Sequence, residues 1–118
     1  MIRKILTANE VLRSVEFKCY SEDFRHFIQR IPDDFFLYLD PPYARKGYRV
    51  YTHCFQGSDH IDLADLLRYR KNWLLSFDDD PRIRNRYGGW AIIEEIPVNY
   101  LTGRKEVQHK RELLIYPD

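Results

Sequence analysis

The chain has 118 residues, of which 44% are hydrophobic, 31% charged and 15% aromatic, and its formal net charge is +1. That length supports one domain with a real core, spanning residues 1–118, and the composition excludes a disordered polar tract. The near-neutral charge excludes a global field drawing the molecule onto nucleic acid, so any basic surface must be local.

No apolar run approaches membrane-spanning length and the N-terminus lacks a signal-peptide core, so a cytoplasmic protein without a membrane partner is expected. Cys19 and Cys54 fall in no metal spacing and read as free thiols in a reducing compartment; no metal site is expected.

In chain order, Met1 to Val15 reads as a short helix, with Thr7-Ala8-Asn9-Glu10 as a candidate capping box before Val11-Leu12. Val15–Tyr20 alternates apolar and polar residues and predicts a half-buried strand. Ser21-Glu22-Asp23 opens a second helix, with Phe24, Phe27, Ile28 and Ile31 at helical spacing on one face. Pro32-Asp33-Asp34 ends it.

Phe35–Leu39 is an unbroken apolar and aromatic run, predicting a strand buried on both faces of a sheet. It runs into Asp40-Pro41-Pro42-Tyr43. Neither proline has an N–H for a ladder, so the chain must leave the sheet at Asp40. Ala44 to Gly57 interleaves basic and aromatic residues: Arg45, Lys46, Tyr48, Arg49, Tyr51, His53 and Phe55. Such a loop, directly after Asp40–Tyr43, suits phosphates and unstacked bases; the alternative is a hairpin with its rings packed inward and its basic groups solvated.

Ser58-Asp59 predicts a helix cap, with the helix running to Arg70 and Ile61, Leu63, Ala64, Leu66 and Leu67 on its apolar side. Arg68, Arg70 and Lys71 would complement its dipole. Trp73–Phe77 is a second buried strand. Asp80 as N-cap and Pro81 at the first position open a short helix that Gly88-Gly89 closes. Its Arg82, Arg84 and Arg86 read as a solvated face balanced by the preceding aspartates. Ala91–Val98 and Glu112–Tyr116 complete the strands, joined by a basic hairpin with Arg104, Lys105, His109, Lys110 and Arg111.

The chemistry concentrates at Asp40-Pro41-Pro42-Tyr43. A carboxylate accepts hydrogen bonds, a proline fixes the direction of the preceding carbonyl, and a tyrosine ring offers a stacking face. Together they suit a planar group bearing an –NH2, such as the exocyclic amine of adenine. Acceptors for both N–H groups would favour a tetrahedral, nucleophilic nitrogen as the transition state develops. Taken alone, the tetrapeptide is equally an ordinary turn with Asp40 capping it.

The surrounding order and spacing resemble the Dam-like adenine-specific DNA methyltransferases, in their carboxyl-terminal part. Val15–Phe24, Phe36–Tyr43, the spacing of Tyr51, Phe55, His60 and Leu63, Trp73–Tyr87 and Glu112–Ile115 carry the likeness over nearly the whole chain. The resemblance implies an α/β fold: a partial S-adenosylmethionine-dependent, Rossmann-like methyltransferase sheet. It implies a methyl transfer from S-adenosylmethionine to the amino group of a flipped adenine in DNA. Asp40, Pro41, Pro42 and Tyr43 would be catalytic. Asp23 and Phe24 would lie against the adenine ring of the cofactor, and Arg45, Lys46, Tyr48 and Arg49 would contact DNA.

The family's sheet runs 3-2-1-4-5-7-6. The segments here match strand 3 (Val15–Tyr20), strand 4 (Phe35–Leu39), strand 5 (Trp73–Phe77), strand 6 (Ala91–Val98) and strand 7 (Glu112–Tyr116). Strands 1 and 2 have no counterpart, nor does the glycine-rich loop that wraps the methionine end of the cofactor; no glycine precedes Asp40. A truncated catalytic region is therefore expected, binding S-adenosylmethionine weakly or not at all as a lone chain. Its exposed strand 4 would invite pairing: with strand 3, with a second copy, or with a complementing segment. Two other functions fit the same residues. One is an inactive remnant that still touches nucleic acid, and the other is an RNA-directed amino methyltransferase.

Overall fold

The structure, a computed structural model, describes residues 2–42, 55–101 and 107–118. Among the described residues, four helices and four strands follow one another as α1 (Ile2–Ser14), α2 (Phe24–Arg30), β1 (Leu37–Leu39), α3 (Gly57–Leu67), β2 (Trp73–Asp78), α4 (Pro81–Tyr87), β3 (Ala91–Leu101) and β4 (Val107–Pro117). The strands form one mixed sheet in the order β1-β2-β4-β3. β1 runs parallel to β2 in the register Leu37↔Trp73, Tyr38↔Leu74, Leu39↔Leu75. β4 is antiparallel to both β2 and β3. The parallel pair is joined through α3, as parallel neighbours require.

Strand alternation sorts the side chains by face. Leu37, Trp73, Leu75, Phe77, Leu113 and Ile115 are buried against Ile28 of α2, Leu63, Ala64 and Leu67 of α3, and Ile83 and Tyr87 of α4. Each large side chain so buried contributes roughly 1.5–3 kcal/mol. The other face is open at β1, where Tyr38 is 63% exposed. The strand expected to be buried on both faces is therefore buried on one. It is also shorter than Phe35–Leu39, because Phe35 and Phe36 stay outside the ladder and remain exposed.

Residues Val15–Tyr20 form no strand; the segment is irregular and exposed throughout. Alternation alone cannot hold a strand without a ladder partner, and among the described residues β1 pairs on one side only, with β2. Pairing between these two segments of one chain therefore does not occur. The first helix starts at Ile2, ahead of the candidate capping box, and Thr7 sits inside it with its hydroxyl donating to the Arg3 carbonyl at 3.0 Å. Helix formers in Ile2-Arg3-Lys4-Ile5-Leu6 prevail over the cap signal. α1 buries no residue, and Ile2, Ile5, Leu6, Val11 and Leu12 are exposed.

The third helix is capped by Gln56, whose N–H donates to the Asp59 carboxylate at 2.6 Å, and it ends at Leu67, short of the expected Arg70. Arg70 lies beyond its last turn and does different work. Its guanidinium donates to the carbonyls of Ile28, Ile31 and Pro32, closing the end of α2. Arg25 pairs with Asp59 and Asp62, so it ties α2 to α3 from the opposite end.

Asp80 is 2% exposed and caps α4 as expected, accepting from the Arg82 N–H at 2.8 Å, with Pro81 at the first turn. Gly88 ends that helix; a Cβ there would lie 2.7 Å from the Arg84 carbonyl oxygen. β3 and β4 extend further than the sequence signalled, as a ladder from Ala91↔Pro117 to Leu101↔Val107. Pro97 is tolerated because β3 is an edge strand. No helix among the described residues is long and apolar enough to cross a membrane.

Candidate active site

The corner predicted from the sequence begins where the ladder stops. The parallel register that sets Leu39 opposite Leu75 brings Asp40 beside Ser76. Ser76 is 5% exposed, and its hydroxyl lies 2.8 Å from Asp40 Oδ1 and 3.4 Å from the Leu39 carbonyl. Asp40 itself is exposed, and Ser76 is its one hydrogen-bond partner among the described residues. One carboxylate oxygen is thus anchored from inside the sheet, while the group as a whole faces outward at the carboxyl end of β1. Open α/β sheets bind ligands at this end of their strands. Pro41 and Pro42 follow, half-buried and outside the ladder. Tyr43, Arg45, Lys46, Tyr48 and Arg49 lie outside the described residues.

A serine in the middle of Trp73-Leu74-Leu75-Ser76-Phe77 is the signal that sequence reasoning passed over. A buried hydroxyl needs a partner, and here the partner is the candidate catalytic acid.

Asp23 and Phe24, expected at the cofactor's adenine ring, stand at the start of α2. The Asp23 carboxylate accepts from the Arg25 N–H at 2.8 Å and pairs with its guanidinium at 3.1 Å. These contacts, the backbone N–H foremost, hold its carboxyl below the ordinary aspartate value. Phe24 packs against Phe55 with ring centroids 5.0 Å apart, and the Arg25 guanidinium sits 4.5 Å from the Phe24 ring centre. Phe55 therefore follows the inward-packed alternative for its segment. Beside this stack, Phe17, Tyr20, Phe24 and Phe27, with Lys18 and Glu22, line an open cleft of about 340 Å³. Its aromatic walls fit a planar ring. Its one lining acid, Glu22, is paired with Arg30, and the neighbouring Asp23 with Arg25, so neither stands ready for a ribose diol. Among the described residues, the cleft offers walls for a planar ring and no unpaired acid.

His60 lies between Phe55, at 5.2 Å, and Phe77, at 5.4 Å. Burial holds its imidazole below the usual histidine pKa. Arg82 and Arg86 push in the same direction, with Asp59 and Asp80 opposing. The arginines of α4 only partly follow the expected solvated, balanced face. Arg82 pairs with Asp80 at 2.8 Å, and Arg84 bridges Asp79 and Glu95, each at 2.7 Å. Arg86 has no ion pair among the described residues. In the basic hairpin, Arg111 pairs with Glu95 at 3.1 Å; Arg104 and Lys105 lie outside the described residues.

The arrangement offers an outward-facing carboxylate, anchored by a buried hydroxyl, at the ligand end of a mixed sheet. No individual characterised protein matches the chain significantly. A family model described as D12 class N6 adenine-specific DNA methyltransferase matches residues 2–112 of the 118. With that match spanning almost the whole chain, and the anchored acid of Asp40-Pro41-Pro42 at the mouth of the sheet, the chain belongs to the D12 class of N6 adenine-specific DNA methyltransferases.

Proposed function

We propose that this chain carries the base-gripping half of an adenine methylation site. The observation behind this reading is the Asp40 carboxylate, exposed at the tip of β1 and anchored by Ser76. Its free oxygen accepts one N–H of the adenine amino group, and the backbone carbonyl of Asp40 or Pro41 accepts the other. Both acceptors draw the nitrogen lone pair out of conjugation with the ring, where it becomes nucleophilic. Tyr43 stacks on the base once it has left the duplex, offsetting part of the few kcal/mol that flipping costs. Arg45, Lys46, Tyr48 and Arg49 approach the flanking backbone.

Enzymes of this family generally use S-adenosylmethionine, which supplies the methyl group when bound. The aromatic cleft around Phe24 takes the adenine ring of that cofactor, with Asp23 fixing the helix that presents Phe24. The committed acids and the open edge of β1 leave the rest of the cofactor without a seat. The second half of the site comes from a complementing segment or a second copy paired along the edge of Phe35–Leu39.

Calorimetry of the purified chain with S-adenosylmethionine tests the division into halves. Very weak binding or none is expected, and micromolar affinity would contradict it. In a complemented assembly, Asp40→Ala should abolish methylation of DNA adenines while sparing cofactor binding. Undiminished turnover in that variant would remove Asp40 from the chemistry.

A further inference from the structure

A second feature lies at the same end of the sheet. Gly57, His60, Arg82, Ile83 and Arg86 line a cavity of about 80 Å³. That is far below the roughly 300–1,000 Å³ of a pocket for a whole small molecule, and it suits a group the size of a phosphate. Its charge is cationic. Of the three arginines on α4, Arg84 is engaged by two acids and Arg82 by Asp80, while Arg86 has no ion pair among the described residues. The nearby Asp59 is turned to the Gln56 N–H and to Arg25. His60 Nδ1 is buried with no partner among the described residues. The cavity also adjoins the first turn of α3, the positive end of that helix dipole.

Its position follows from the chain path. α3 begins after the segment leaving the carboxyl end of β1, and α4 begins directly after the carboxyl end of β2. Ser76, which holds Asp40, is followed by Phe77, whose ring is 5.4 Å from that of His60.

We propose that Arg86, flanked by His60 and Arg82, seats a backbone phosphate of the nucleic acid whose adenine enters the Asp40 corner. This rests on the reading of Asp40 given above. A planar guanidinium without a carboxylate partner is suited to bidentate phosphate binding. Phosphate contacts fix register without reading sequence. The site thus positions the strand, while Asp40 selects the base.

The two roles separate in one experiment. Fluorescence anisotropy with short single-stranded adenine and thymine oligonucleotides is recorded over a range of salt, with folding checked by circular dichroism. Arg86→Gln should weaken both oligonucleotides alike and lower the slope of log affinity against log salt by about 1. Arg86→Lys, which keeps the charge, should retain the slope. An unchanged slope in Arg86→Gln overturns the phosphate site. Asp40→Ala should keep the slope and lose the preference for adenine. Absence of that preference in the unmodified chain would overturn the reading of Asp40 and leave the salt result to decide Arg86 alone. Should Arg86→Gln fail to fold, NMR titration of the unmodified chain with inorganic phosphate decides. Shifts at Gly57, His60 and Arg86 support the site, and shifts confined elsewhere, or none, overturn it.

Discussion

Asp40 and Ser76 show how a single pair sets the character of this site. Ser76→Ala removes one hydrogen bond from a buried position, worth about 1 kcal/mol. It also leaves the Asp40 carboxylate free to rotate, so urea unfolding should show a small loss while adenine preference falls. Unaltered adenine preference would mean that Ser76 does not orient the acid. Arg70 matters for a different reason. It is the donor for three carbonyls at the end of α2, so Arg70→Ala should cost about 1–3 kcal/mol in a denaturation experiment. Asp40-Pro41-Pro42 was legible because two consecutive prolines leave no N–H for a ladder on either side of the strand. Arg70 was not, since a helix-end arginine reads as dipole chemistry until the neighbouring helix is known to end within its reach.

At the level of elements, α4 is fastened by charge. Asp79, Arg84, Glu95 and Arg111 form a chain of pairs from the β2–α4 turn through α4 to β3 and β4. The hydrogen bond from Arg84 is the main cause that holds the Asp79 carboxyl below its ordinary value. A depressed folded value means stability that is present above the unfolded pKa of about 3.9 and lost as pH falls through the folded value. Unfolding midpoints should therefore drop between mildly acidic and strongly acidic pH, and less so in Asp79→Asn; equal drops would exclude the pair. Within the core, Leu75→Ala removes a side chain with no exposure and should cost about 2–5 kcal/mol. α2 and α3 were readable from periodicity because their apolar faces do meet the core, whereas α1 meets none of it. Val15–Tyr20 misled for the converse reason: its alternation was real, but a strand exists only where another strand accepts its hydrogen bonds.

For the whole molecule, the sheet has helices packed on one face and ends at β1, with Phe35, Phe36 and Tyr38 exposed around that edge. Further apolar residues are exposed on α1 and at Phe17 and Tyr20. The helical segment itself contributes no buried residue, so removing residues 2–14 should change stability by only about 0.5 kcal/mol. A large loss on removal would place α1 against the core. Family membership was legible in the ordered motifs, whereas the one-sided burial of β1 was not, because an apolar run has the same letters whether one face or two are covered. The central claim is that the anchored carboxylate of Asp40 recognises an exocyclic amine. It is tested most directly by comparing two oligonucleotides that differ at one unpaired position, adenine in one and purine without its amino group in the other. The unmodified chain should bind the adenine form more tightly, and Asp40→Ala should bind both equally. Equal binding by the unmodified chain would contradict the claim.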